Sequence, residues 1–151
     1  MRIKQVRLVW FRGAADPVAL EPDGRSLVVY GQNGAGKSSF VDAIEYVVNK
    51  GKLGHLTHEY SGRNQEKGIP NTHTPADRST EFSITFQDDA ELKIKIARNG
   101  SHTQAGAKAV NMAGWDYRRT VLRQDEVAEF IRSSKGGKYS ALLPLLGLHE
   151  L

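Results

Sequence analysis

The 151-residue chain has no cysteine, which excludes a disulfide framework and any thiolate metal site. It also lacks an apolar stretch of transmembrane length, and its N-terminus, Met1-Arg2-Ile3-Lys4, has no apolar block of the kind that opens a secretory leader. A soluble, cytoplasmic protein with no membrane partner is the expectation. Internal repeats and low-complexity tracts are absent. A strong excess of one sign of charge is lacking as well. The 21 Lys and Arg stand against 17 Asp and Glu, a net charge of +4, compatible with a polyanionic partner but too small to demonstrate one. The length is that of a single domain able to enclose one core.

What the chain does have is an apolar run, Leu27-Val28-Val29-Tyr30, followed at once by Gly31-Gln32-Asn33-Gly34-Ala35-Gly36-Lys37-Ser38. The second segment fits the phosphate-loop pattern G-x-x-x-x-G-K-[ST]. The run predicts a buried strand, and the glycines let the backbone turn with its N–H groups inward. The residues that follow open a helix whose N-terminus favours anions. Lys37 is placed to reach the β- and γ-phosphates, and the Ser38 hydroxyl to coordinate Mg²⁺. Gln32, Asn33, Gly34, Ala35 and Gly36 supply the cradle, and Ser39 is a second, weaker hydroxyl. Phe40, Val41, Ile44, Val47 and Val48 recur at helical spacing and predict the packed face of that helix.

Elsewhere, Val6, Leu8 and Trp10 alternate as a first strand, and Pro17 to Leu20 gives a short second one before the Asp23-Gly24 turn. Phe82, Ile84 and Phe86, then Leu92, Ile94 and Ile96, flank Asp88-Asp89 as a β-hairpin. Residues 51–75 and 99–114 read as long loops. Arg118 to Leu122 resembles a strand, Asp125 to Ile131 a helical start, Ser133 to Gly137 a break, and Tyr139 to Leu146 a leucine-rich helix with Pro144 in its first turn or at a kink. His55 and His58 read as solvated loop residues, since no carboxylate or third ligand stands at metal spacing. Arg118, Arg119 and Arg123, with Lys50, Lys52, Arg63 and Lys67, offer candidate contacts to nucleic-acid phosphates.

Four features occur in order: Trp10-Phe11-Arg12-Gly13 after the first strand, the phosphate loop ending Lys37-Ser38-Ser39, Val121-Leu122-Arg123-Gln124-Asp125-Glu126, and the leucine-rich segment from Leu142 to Leu148. Together they resemble the N-terminal half of the SMC, RecF and SbcC group of ABC-type ATPases, which act on chromosomes and DNA breaks. The resemblance implies an α/β fold, a P-loop core packed with antiparallel strands, spanning residues 1–151 as the N-terminal lobe of an ATPase head. It implies ATP and Mg²⁺ as cofactors, Gln124 as the glutamine that contacts Mg²⁺ and the attacking water, and Arg12 as an arginine near phosphate, although Trp10 stands where the group has asparagine. Arg123-Gln124-Asp125-Glu126 lacks the unbroken apolar run of a Walker B segment, and Ser134-Lys135-Gly136-Gly137 is explained equally by a glycine break as by a signature loop. In the group those motifs lie beyond a coiled coil, in a C-terminal lobe. The implied partners are therefore that lobe, a second head in a homodimer, and DNA or another nucleic acid. Two rival readings are a small P-loop kinase and a non-catalytic ATP-dependent clamp.

Overall fold

The computed structural model describes residues 2–56, 68–106, 110 and 120–145. The chain divides into two compact units, Met1–Met112 and Ala113–Leu151.

The first unit is built on a five-stranded antiparallel sheet. Strands β1 (Ile3–Val9), β2 (Val18–Leu20), β3 (Thr80–Phe86), β4 (Glu91–Ile96) and β5 (His102–Ala105) lie in the order β2-β1-β3-β4-β5. The period-two pattern sets the register: Val6 and Leu8 lie opposite Ile84 and Phe82, and Phe82 and Ile84 opposite Ile94 and Leu92. All of these side chains are buried, whereas the alternate residues Arg7, Lys93 and Lys95 are exposed. The predicted hairpin forms as read. Phe86 N–H donates to the Ala90 carbonyl, and Asp89 takes the left-handed turn position (φ 57°) that aspartate tolerates better than most residues.

Helix α1 (Lys37–Val48) packs beside this sheet. Tyr46 meets the Phe82 ring edge-on at 5.8 Å, and Phe11 packs on the same ring at 4.9 Å. Tyr46 also reaches β5, with its hydroxyl 3.2 Å from His102 Nδ1. The second unit contains α2 (Gln124–Arg132) and α3 (Lys135–Leu145).

Several elements depart from the pattern reading. Leu27 to Tyr30 is not a strand, and its side chains are 42–92% exposed. A buried strand needs hydrogen-bonded neighbours on both sides, and among the described residues the five strands of the sheet pair only with one another. Helix α1 buries Ser39, Asp42, Ala43, Glu45 and Tyr46, while Val41 is exposed and Phe40, Ile44, Val47 and Val48 are half-buried. The aliphatic stripe thus lies off the face turned to this sheet. Residues 99–114 are not all loop. Asn99-Gly100 makes a turn, with Asn99 Oδ1 accepting from the Ser101 N–H and hydroxyl, and the chain returns as β5. That strand carries no apolar alternation because it is an exposed edge. Both described ends of the 51–75 loop are anchored by buried Leu53, Leu56 and Ile69. Val121 and Leu122 are not in a strand, and Arg118 and Arg119 lie outside the described residues. Helix α3 starts earlier than expected because Ser134 Oγ accepts the Gly137 N–H as a helix cap, and Pro144 falls in its last turn.

The core places an aromatic ring where sheet and helix meet. Phe82→Ala, which removes a ring 1% exposed, should cost about 3–5 kcal/mol in urea denaturation. Val28→Ser, on the exposed run, should change stability by less than about 0.5 kcal/mol.

Candidate nucleotide-binding site

Helix α1 begins without a side-chain cap. Its N-cap is Gly36, in the left-handed region at φ 78°, which offers no side-chain cap to the N–H groups of the first turn. Those donors and the helix dipole are directed at whatever lies over the preceding loop. Residues 31–35 are exposed, and the Lys37 ammonium folds back over them, donating to the carbonyls of Gly31 at 2.9 Å and Gln32 at 2.6 Å. Ser38 faces solvent. Ser39 is turned the other way: it is buried, and its Oγ accepts the Gly13 N–H at 2.9 Å. The two neighbouring hydroxyls are thereby separated, one toward the loop's open side and one into the protein body.

Gly13 belongs to a turn, residues 10–14, that follows β1, leads toward β2, and packs against the start of α1. A Cβ on Gly13 would lie 2.9 Å from the Gly36 Cα, and one on Gly36 would lie 3.2 Å from the Gly13 carbonyl oxygen. The two backbones therefore touch at a distance that only glycines allow. Trp10 and Arg12, on either side of fully buried Phe11, both have φ of 52°. Such geometry is costly for residues with side chains and needs support from outside the turn.

The Arg12 side chain goes to α1 rather than to the phosphate loop. Its Nε donates to Asp42 Oδ2 at 2.9 Å, one terminal nitrogen donates to the Gly68 carbonyl, and the other lies 3.0 Å from His55 Nε2. Because guanidinium can only donate, His55 Nε2 must accept and its ring proton sits on Nδ1. Glu45, fully buried, accepts the Gly54 N–H at 2.6 Å. Asp42, Glu45 and His55 bring one potential ligand atom each within 4.8 Å of one another, so carboxylates do stand beside His55, contrary to the reading from spacing. Arg12 already supplies a cation to this cluster and ties it together as an ion-pair network. His55 is a part of that network and not a solvated loop residue; His58 lies outside the described residues. Pattern reading missed Asp42 and Glu45 because both sit among the aliphatic residues of α1. Their signal is the three-residue spacing, which stacks them on one helix face.

Gln124 is the first residue of α2 in the second unit and is exposed, and Arg123 precedes it. Lys50 and Lys52 are exposed after α1, whereas Arg63 and Lys67 lie outside the described residues.

The sequence from residue 2 to 149 matches the family model described as an AAA domain. The chain belongs to that family. Among curated relatives, this AAA domain is 24% identical over 135 residues to the chromosome partition protein Smc of Methylococcus capsulatus, covering 89% of this chain and 10% of that protein. It is 35% identical over 101 residues to the structural maintenance of chromosomes protein 3 of Caenorhabditis elegans, covering 66% of this chain and 8% of that one. The AAA domain thus spans about a tenth of the length of these relatives. A solved SMC head domain from Thermotoga maritima shares its fold, with a TM-score of 0.56, 18% identity, and coverage of 89% of this chain and 52% of the head. These matches bear out the resemblance: the AAA domain has the sequence and fold of the N-terminal lobe of an SMC-type ATPase. None of its described helices is long and apolar enough to cross a membrane.

The buried ion pair is open to direct measurement. Asp42→Ala leaves the Arg12 guanidinium, 22% exposed, facing a gap, and should destabilise the chain by about 2–4 kcal/mol. Asp16→Ala, at an exposed site, should leave the urea midpoint nearly unchanged.

Proposed function

We propose that the chain is the ATP-binding lobe of a divided ATPase head, holding the triphosphate while segments beyond this lobe complete the hydrolytic site. The observation that carries this reading is the uncapped start of α1 behind an exposed glycine-rich loop, with Lys37 folded over that loop. Loop amides and the first turn of α1 would receive phosphate oxygens, and Lys37 would exchange its two carbonyl partners for them. The solvent-facing Ser38 hydroxyl is a hard oxygen donor at the helix start and fits Mg²⁺. When bound, Mg²⁺ would neutralise charge on the phosphates and polarise the γ-phosphoryl group. Gln32, Asn33, Gly34, Ala35 and Gly36 would line the phosphates. Gln124 would complete the metal site and orient the attacking water. Ser39 and Arg12 would support the loop from beneath.

Two apolar surfaces favour a divided site over a self-contained kinase. Leu27 to Tyr30 is exposed directly before the loop, and the aliphatic stripe of α1 is incompletely covered. A C-terminal lobe of the same protein would cover both. A second head would close over the nucleotide, and DNA or another nucleic acid would be the substrate of the assembled machine, in processes such as repair. Residues 1–151 would act as one lobe of that assembly, in the cytoplasm.

Isothermal calorimetry with Mg-ATP should show binding that weakens roughly tenfold to a hundredfold in Lys37→Ala. Turnover by the chain alone should fall far below the roughly 1–1000 per second of typical enzymes. Turnover in that range that disappears in Lys37→Ala would contradict the divided site, and ADP release dependent on a small-molecule acceptor would favour the kinase.

A further inference from the structure

We propose that Asn71 is a positioning residue for the phosphate loop, acting through the 10–14 turn. The proposal rests on the nucleotide reading above but concerns a residue far from the motif in sequence. The turn is held from one side by a strap, residues 68–71. Arg12 N–H donates to the Ile69 carbonyl at 2.9 Å, Asn71 N–H donates to the Trp10 carbonyl at 2.9 Å, and Phe11 forms a β-bridge with Pro70. Asn71 adds a side-chain bond, its Nδ2 donating to the Arg12 carbonyl at 2.6 Å. It therefore bonds the two left-handed residues of the turn, Trp10 through its main chain and Arg12 through its amide.

The Arg12 carbonyl belongs to the peptide that ends in the Gly13 N–H, and that N–H is the donor to Ser39 Oγ. One peptide plane is thus held at both ends, by Asn71 on its oxygen and by Ser39 on its nitrogen. A peptide plane is rigid, so fixing the oxygen fixes the direction of the N–H, and with it the contact of Gly13 against Gly36 at the α1 N-cap. The Asn71 side chain is oriented for this task. Its Oδ1 accepts the His73 N–H at 2.9 Å, which assigns Nδ2 to the Arg12 carbonyl. The asparagine amide satisfies a donor on one side and an acceptor on the other, and aspartate cannot do both.

The test uses the 151-residue chain and three variants: Asn71→Asp, which loses the donor, Lys37→Ala, and Ile94→Val as a mild core change on β4 remote in sequence from the turn. The readouts are the Mg-ATP dissociation constant and the amide exchange rate of Gly13, measured where all variants are folded. Asn71→Asp should weaken ATP binding by up to about tenfold and speed Gly13 exchange by a similar factor, with Ile94→Val changing neither. Unchanged exchange at Gly13, or equal effects in Asn71→Asp and Ile94→Val, would overturn the proposal. If wild type shows no Lys37-dependent binding, the nucleotide reading fails, and Gly13 exchange still decides whether Asn71 holds the turn.

Discussion

The backbone contact between Gly13 and Gly36 is the constraint on which the rest of the first unit depends. It joins the end of β1 to the start of α1 with no side chain between them. Everything on the sheet side, from the Phe82 ring to the strap at residues 68–71, fixes where Gly13 lies. Everything on the helix side, from the left-handed N-cap to the direction of the first-turn N–H groups, follows from where Gly36 lies. Because a Cβ is excluded at Gly13 and would be crowded and on a strained backbone at Gly36, the contact is closer than ordinary core packing and transmits small displacements.

The ion-pair network under α1 serves the same junction. Burying Asp42 and Glu45 on a helix face is costly unless each finds a partner, and the partners come from two separate segments: Arg12 in the turn, and the Gly54 N–H and His55 after the helix. Apolar side chains there would pack as well or better. A charged cluster instead fixes one arrangement of turn, helix and loop, since any slip leaves a buried charge unpaired. The outcome is a phosphate loop braced from below, with its open side formed by Ser38 and the loop amides.

Much of this was legible in the sequence. Alternation at Val6 and Leu8, and in the hairpin at 82–96, set the strands and their buried faces, and the phosphate-loop motif marked the start of α1. Other features were not legible, for identifiable reasons. β5 is a polar edge strand, so burial imposes no pattern on it. The Arg12 side chain was drawn to Asp42, thirty residues away, by a pairing that local sequence cannot display. The strand expected at Leu27 to Tyr30 depends on neighbours that the five-stranded sheet does not provide. That run is apolar enough to be buried but has nothing among the described residues to bury it, which is the physical content of the divided-site proposal.

Hydrogen exchange on the amides of residues 27–30 tests that proposal most directly. It would be measured in this chain alone and again with the proposed C-terminal lobe supplied in the same chain. The account predicts rapid exchange in the lobe alone and slowing by at least about a hundredfold in the longer chain, as a paired and covered strand requires. Equally rapid exchange in both would contradict it.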